Sequence, residues 1–250
     1  MNLSVAIITY NEERNIERCL LSVQGLADEI VVVDSFSKDG TEEICKNYGV
    51  RFVQHIFEGH IQQKNYAIDQ CKGDWILSLD ADEALDDKLK ATILEIKKKQ
   101  VYDGYSMNRL TNYCGNWVHH CGWYPDTKVR LIRKGKALWK GTNPHDRLDM
   151  IGGQPVGHLN GDILHYSYYT REDHLKQIEY FGDIAAHELF TQGKTSSWPL
   201  IGIKVLAQFI KSYFIKLGFL DGATGLTISR LSAFATYRKY LKLKVLTSQK

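Results

Sequence analysis

The sequence predicts an α/β fold, a mainly parallel sheet with flanking helices followed by C-terminal amphipathic helices. Three observations predict it. Short apolar runs alternate with helix-like segments through the first hundred residues. Three of those runs stop abruptly in polar clusters. The last third changes to long, basic, amphipathic stretches. With 250 residues, 44% of them hydrophobic and 24% charged, the chain can bury one large core, and a net charge of +3 does not suggest a dedicated nucleic-acid binder. Residues 1–170 are expected to form the sheet domain, with halves meeting near residue 100, and residues 171–250 a helical region.

Residues 5–8 (Val-Ala-Ile-Ile) are the first expected strand, followed by the turn Thr9-Tyr10-Asn11-Glu12. Asn11 is a good N-cap for a helix whose apolar face is Ile16, Leu20, Leu21 and Val23. Residues 30–33 form the second strand, ending in Asp34-Ser35, and a Ser37-Lys38-Asp39-Gly40-Thr41 turn leads into a helix over 42–48. A third, shorter strand covers 50–53, a helix 59–71 and a buried strand 75–79. The chain is organised around the end of that last strand, where Asp80, Asp82 and Glu83 put three carboxylates within four positions. Like charges that close repel unless a cation neutralises them, and a hard divalent metal with phosphate co-ligands would do so. The plainer reading is that Asp82, Glu83, Asp86 and Asp87 cap and charge the next helix, and Glu83 is best assigned to that helix start.

Connected parallel strands bind ligands beyond their carboxyl ends. That edge collects the 9–12 turn, Asp34-Ser35 and Asp80-Ala81-Asp82. No Gly-x-Gly-x-x-Gly follows the first strand and no Gly-x-x-x-x-Gly-Lys-Ser/Thr is present, so a phosphate would be held by metal and side chains.

The order Tyr10-Asn11-Glu12, then Val32-Val33-Asp34-Ser35-Phe36-Ser37-Lys38-Asp39-Gly40-Thr41, then Gln63-Lys64-Asn65, then Asp80-Ala81-Asp82 resembles the inverting glycosyltransferases of family 2. The match covers roughly the first 130 residues. Its details are similar to the branch that includes bacterial lipopolysaccharide core β-1,4-glucosyltransferases. The resemblance implies the GT-A fold, a UDP-sugar donor and a divalent metal, Mg²⁺ or Mn²⁺. It puts Thr9, Tyr10, Asn11, Glu12 and Asp34 around the uridine, Lys64 near the diphosphate and Asp80 at the ribose and metal. Asp82 becomes the metal ligand that bridges the phosphates. Asp39 and Thr41 shape the turn.

The stretch 113–126 is dense in aromatic, amide and imidazole groups, which suit a sugar's apolar faces and hydroxyl edges. Trp117, Trp123, Tyr124 and Arg130 are the candidate acceptor residues; an aromatic core under a loop is the alternative. Residues 128–133 form a strand carrying basic residues. The resembled family has a His-Glu or Glu-Asp pair near the next position, and here the pair is His145-Asp146. Asp146 is the expected catalytic base, with Asp126 or Asp149 as rivals and a structural pairing of Asp146 with Arg147 as the alternative. His165 follows a short apolar run and is a candidate further metal ligand or a structural histidine.

Residues 171–192 fit an amphipathic helix. Residues 198–217 are strongly apolar but carry Lys204, Lys211 and Lys216. Each lysine would cost about 2.5–3.5 kcal/mol at a bilayer centre, so the stretch suits a helix lying in the membrane interface near anionic lipid, or one packing on the sheet or forming a dimer contact. Another basic helix covers 226–243. The five cysteines are scattered, which argues against a disulfide framework, and Cys114, His119, His120 and Cys121 fit no familiar zinc spacing. No signal-peptide pattern is evident, so a cytoplasmic protein peripheral on the inner face of the membrane is expected.

The expected function is transfer of a sugar, with glucose the first candidate, from UDP to a lipid-linked glycan such as a lipopolysaccharide core intermediate. The partners are the donor, that acceptor, a membrane surface and, as an open option, a second copy. Nucleotidyl transfer and a non-catalytic membrane-surface module that binds nucleotide sugars are the rivals.

Overall fold

The computed structural model describes residues 1–141 and 146–248. The chain forms two compact units, residues 1–109 with 126–166, and residues 110–125 with 167–250. The second unit thus takes in an excursion from the middle of the chain as well as the C-terminal helices, a grouping that the linear pattern did not predict.

In the first unit the strands β1 (Leu3–Thr9), β2 (Glu29–Asp34), β3 (Arg51–Gln54) and β4 (Trp75–Asp80) alternate with helices α1 (Ile16–Val23), α2 (Thr41–Asn47) and α3 (His60–Gln70). These four strands are parallel, in the order β3-β2-β1-β4. Their period-2 alternation divides the core. Leu3, Val5 and Ile7 face one cluster with Trp75, Leu77, Leu79 and the α1 residues Ile16 and Leu20. Ala6, Val31, Val33 and Ile76 face the other with Ala67 and Ile68 of α3. Both sheet faces are therefore covered, which is why the strands are apolar throughout.

The sheet then continues with antiparallel strands, beyond the parallel part that the sequence pattern indicated. Next come β5 (Glu83–Leu85), α4 (Asp87–Lys98), β6 (Gly104–Tyr113) and β7 (Asn116–Val118). They are followed by β8 (Asp126–Arg133), β9 (Ala137–Lys140), β10 (Arg147–Met150) and β11 (Gly157–Tyr168). The order runs β4-β8-β6-β11-β5, and β9 pairs with β10 as a separate antiparallel ladder. Register brings the strand ends together: Thr9 lies opposite Asp34, and Ile8 opposite Asp80.

Two local expectations change. α1 begins at Ile16 with Asn15, not Asn11, at the N-cap. Asn11 instead has φ 53°, a left-handed conformation that asparagine tolerates, and its Oδ1 accepts the Lys38 N–H at 2.8 Å. Glu83 does not start the following helix. Asp86 does, accepting the Leu89 N–H at 2.6 Å, while Glu83 is buried on β5.

In the second unit, β7 pairs with residues 111–113 of β6. Helices α5 (Arg171–Thr191) and α6 (Trp198–Ile210) each pack against α7 (Gly222–Ser248). A reciprocal capping box between Thr170 and Asp173 starts α5. Residues 211–215 form a π-helical turn and 218–221 a short 3₁₀ turn. Gly225 sits where a Cβ would lie 1.8 Å from the Gly218 carbonyl oxygen, so only glycine permits this start of α7. Asp221 accepts the His120 N–H at 2.8 Å and lies 2.7 Å from its Nδ1, tying the 110–125 excursion to the helices. Among the described residues no helix is long and apolar enough to cross a membrane.

Candidate active site

The carboxyl ends of β1, β2 and β4 supply the first groups. Thr9 is buried, and its Oγ1 makes no hydrogen bond among the described residues. Tyr10 is exposed. The Asp34 carboxylate is buried and turned into its own loop, where it accepts the Ser37 N–H at 2.8 Å and the Ser37 hydroxyl. Asp39 and Thr41 shape the turn as expected: Asp39 Oδ1 accepts the Thr41 hydroxyl at 2.6 Å, and Thr41 Oγ1 accepts the Glu12 N–H at 2.8 Å.

Lys64 joins the two carboxylates assigned to donor and base. It projects from α3 with 6% exposure. Its ammonium lies 3.1 and 3.2 Å from the Asp80 oxygens and 2.9 Å from Asp146 Oδ2. The same ammonium sits 4.3 Å from the centre of the Trp139 ring. The neighbours of Lys64 in sequence hold this arrangement. Asn65 donates to the Trp139 carbonyl at 3.0 Å and accepts the Trp139 N–H at 2.9 Å. Gln63 is fully buried and donates to Ser35 Oγ at 3.1 Å. All three residues of the Gln63-Lys64-Asn65 motif thus have distinct structural tasks.

Beneath Asp80 lies a buried network that sequence reasoning missed. Arg130 contacts Glu83 Oε1 at 2.8 Å and Asp80 Oδ2 at 3.4 Å, and Glu83 accepts the Asp80 N–H at 3.0 Å. Arg130 is therefore a buried counter-ion to Glu83 and Asp80 and not an exposed cation. Arg109 extends the network, 3.5 Å from Glu83 and 2.8 Å from Asp126. The signal available in the sequence was Arg130 set between the apolar Val129 and Leu131-Ile132 of β8, since an arginine buried there needs a buried anion.

Burial works to raise the pKa of Asp80, but the Lys64 and Arg130 cations override it and hold the carboxyl well below the usual range. Asp82 is also lowered, because His165 outweighs burial. Glu12 goes the other way, to about 7. Burial raises it, the Asn15 hydrogen bond of 2.7 Å opposes that, and the charges of Asp82, Asp39 and Asp80 push it up further.

Asp82 and His165 fit a divalent cation. His165 Nε2 lies 3.2 Å from Asp82 Oδ2. Adjacent ligands of an octahedral ion with bonds of about 2.1 Å stand about 3 Å apart. Asp80 Oδ1 is buried, with the Lys64 ammonium 3.1 Å away. No group of three or more His, Cys, Asp or Glu that could hold a metal occurs among the described residues. Two or three oxygen and nitrogen donors completed by phosphates and water are the pattern of a magnesium site that uses its substrate as ligand.

Asp126 and Asp149, the rival bases, are engaged elsewhere. Asp126 is held by Arg109 and, at 3.0 Å, by Lys128; Asp149 is held by Arg147 at 2.8 Å. Arg147 thus pairs with Asp149, and Asp146 with Lys64. His145 lies outside the described residues. Trp117, Trp123 and Tyr124 belong to the second unit. There Trp123 packs in an aromatic cluster with Tyr113, Tyr168 and His174, with ring centres 5.7–5.9 Å away, and Tyr124 stacks edge-on to His119 at 5.7 Å. In the same unit His120 pairs with Asp221, and the Cys121 thiol faces Gly225 and Ser229.

Comparison with known proteins bears on the whole chain. An uncharacterized glycosyltransferase of Rickettsia bellii is 33% identical over 99% of this chain and 87% of its own, and one of Rickettsia typhi is 31% identical over 98% and 87%. LpsC of Rhizobium meliloti, a lipopolysaccharide core biosynthesis glycosyltransferase, is 27% identical over 95% of this chain and 93% of its own. In fold, the chain is similar to a mannosyltransferase from Pyrobaculum calidifontis solved with GDP-Man and Mn²⁺ (TM-score 0.54, 14% identity, 99% and 87% of the two chains). The mixed α/β arrangement is of the GT-A kind. The model of glycosyl transferase family 2 matches residues 4–160, which include Thr9, Asp34, Lys64, Asp80, Asp82 and Asp146. A parallel sheet ending in Thr9, Asp34 and Asp80, with Asp146 immediately before β10 on the same lysine as Asp80, belongs to a chain that is a member of glycosyl transferase family 2, a glycosyltransferase.

Proposed function

We propose that the protein transfers a hexose, glucose in the first instance, from UDP to a lipid-linked glycan such as a lipopolysaccharide core intermediate, with inversion at the anomeric carbon. The similarity to LpsC over nearly the whole of both chains supports the acceptor class. The single observation that carries the mechanism is Lys64, within 3.2 Å of Asp80 on one side and 2.9 Å of Asp146 on the other.

In this reading Asp82 and His165 would hold Mg²⁺ or Mn²⁺ beside Asp80, and the ion when bound would offset charge on the departing diphosphate. The turn 9–12 receives the nucleoside, next to the loop that Asp34 holds through Ser37. The incoming diphosphate competes for the Lys64 ammonium and draws it from Asp146. Asp146 then accepts the proton of the acceptor hydroxyl as its oxygen attacks the anomeric carbon. The new C–O bond forms as the bond to the diphosphate breaks, and the electron pair leaves on the nucleotide. One displacement from an α-linked donor gives a β product.

The test is Asp146→Asn. Donor binding, measured with UDP-glucose and Mn²⁺, should stay within about threefold, while transfer or slow donor hydrolysis should fall about 10²–10⁴-fold. Substantial remaining turnover would move the base to another carboxylate. A donor panel that includes GDP-mannose, the ligand of the Pyrobaculum enzyme, decides the nucleotide.

A further inference from the structure

Unit two carries an apolar helix face that is exposed among the described residues. On α6 and the turn after it, Ile203 is 66% exposed, Leu206 61%, Ile210 41% and Phe214 55%. Their spacing of three, four and four puts them on one stripe. The opposite side is the packed one, with Ile201 and Ser212 buried. Ile215, at 68%, and Trp198, at 59%, extend the apolar surface at either end.

Charge identifies the occupant. Lys204, Lys211 and Lys216 are exposed and follow the same stretch. From residue 194 to the end of the chain there are ten Lys and Arg and one acidic residue, Asp221; Arg238 and Lys242 pair with Glu179 and Asp183 of α5. Asp221 is already engaged by His120. An isologous contact with a second copy through this face would bring its lysines against one another. A surface that is apolar at its centre and lysine-rimmed meets its complement in an anionic bilayer, where the side chains enter the acyl boundary and the lysines stay at the headgroups. Spanning is excluded for the described helices, so α6 lies along the surface.

We infer that α6 and the turn through Ile215 form the membrane-docking surface of this protein, selective for anionic lipid, with Ile203, Leu206, Ile210 and Phe214 as the inserting residues. The inference stands on the second unit alone and is independent of which sugar is transferred.

The test uses the full chain and flotation with vesicles of phosphatidylcholine alone or mixed with phosphatidylglycerol. Binding should require phosphatidylglycerol and weaken in high salt. Lys204→Gln, Lys211→Gln and Lys216→Gln together should weaken it about 100-fold. Leu206→Ser and Phe214→Ser should each weaken it about tenfold, whereas Val101→Ser, an exposed apolar residue of the first unit, should leave it unchanged. Trp198 fluorescence should shift to the blue on mixed vesicles, and Trp198→Phe should abolish that shift. All variants are first checked for the wild-type melting temperature; where one is destabilised, the wild-type Trp198 signal and lipid selectivity decide. Equal binding to both vesicle types, no binding to either, or a dimer that Phe214→Ser dissociates and that does not bind vesicles would overturn the inference.

Discussion

At the scale of single residues, the site is governed by which charges are solvated and which are not. Glu83 and Arg130 are both almost fully buried and 2.8 Å apart. Each is tolerable only because the other is there. Arg130→Met should therefore destabilise the fold by about 3–5 kcal/mol, because it strands the Glu83 carboxylate. Arg130→Met combined with Glu83→Gln should cost clearly less than the two single losses added, a coupling that denaturant unfolding of the four proteins would measure. Additive losses would mean that the pair is not a unit. Glu83 shows where local reading stops. In Asp80-Ala81-Asp82-Glu83 it has the composition of a helix start, and only the partner 47 positions away makes it a buried anchor. Lys64 and Asp146, 82 positions apart, were each legible as candidates from the resemblance. Their contact was not, since no local periodicity encodes a pairing across that distance.

At the scale of elements, what periodicity could show was the parallel half of the sheet. β1, β2 and β4 are buried on both faces, so their continuous apolar runs and polar ends were readable, and with them Thr9, Asp34 and Asp80. The short β5 and β7, three residues each, are too brief to carry a pattern. In sequence the stretch 113–126 suits a sugar surface, with an aromatic core as the alternative. Trp123 packs in the core-like cluster, whereas Trp117 is only partly buried on β7. His174 sits in that cluster, and burial pushes its pKa down from 6.5 to about 4. Between these values the unfolded chain binds a proton that the folded chain does not. Stability should thus fall as pH drops from about 6.5 toward about 4 and be flat in this respect above. His174→Phe should remove that part of the acid dependence in melts taken across this window. An unchanged slope would assign it to other groups.

At the scale of the whole molecule, charge and chemistry are divided along the chain. The first unit gathers carboxylates and balances them internally with Lys64, Arg130 and Arg109. The second unit leaves Lys204, Lys211 and Lys216 and the apolar stripe of α6 outward. The internal balance has a consequence for the donor. Asp82, paired with His165 and not with the Lys64 and Arg130 cations that hold Asp80, is the carboxylate that a cation engages at least cost. The central claim, a metal-dependent nucleotide-sugar site built on Asp82, is tested most directly by thermal stabilisation. UDP-glucose and Mn²⁺ together, at about 100 times the dissociation constant, should add about 2.7 kcal/mol and raise the melting temperature by about 5 °C or more. Either alone should do much less, and Asp82→Ala should abolish the joint effect while it keeps the fold. If no nucleotide sugar gives a metal-dependent shift, or if Asp82→Ala responds as the wild type does, the claim is contradicted.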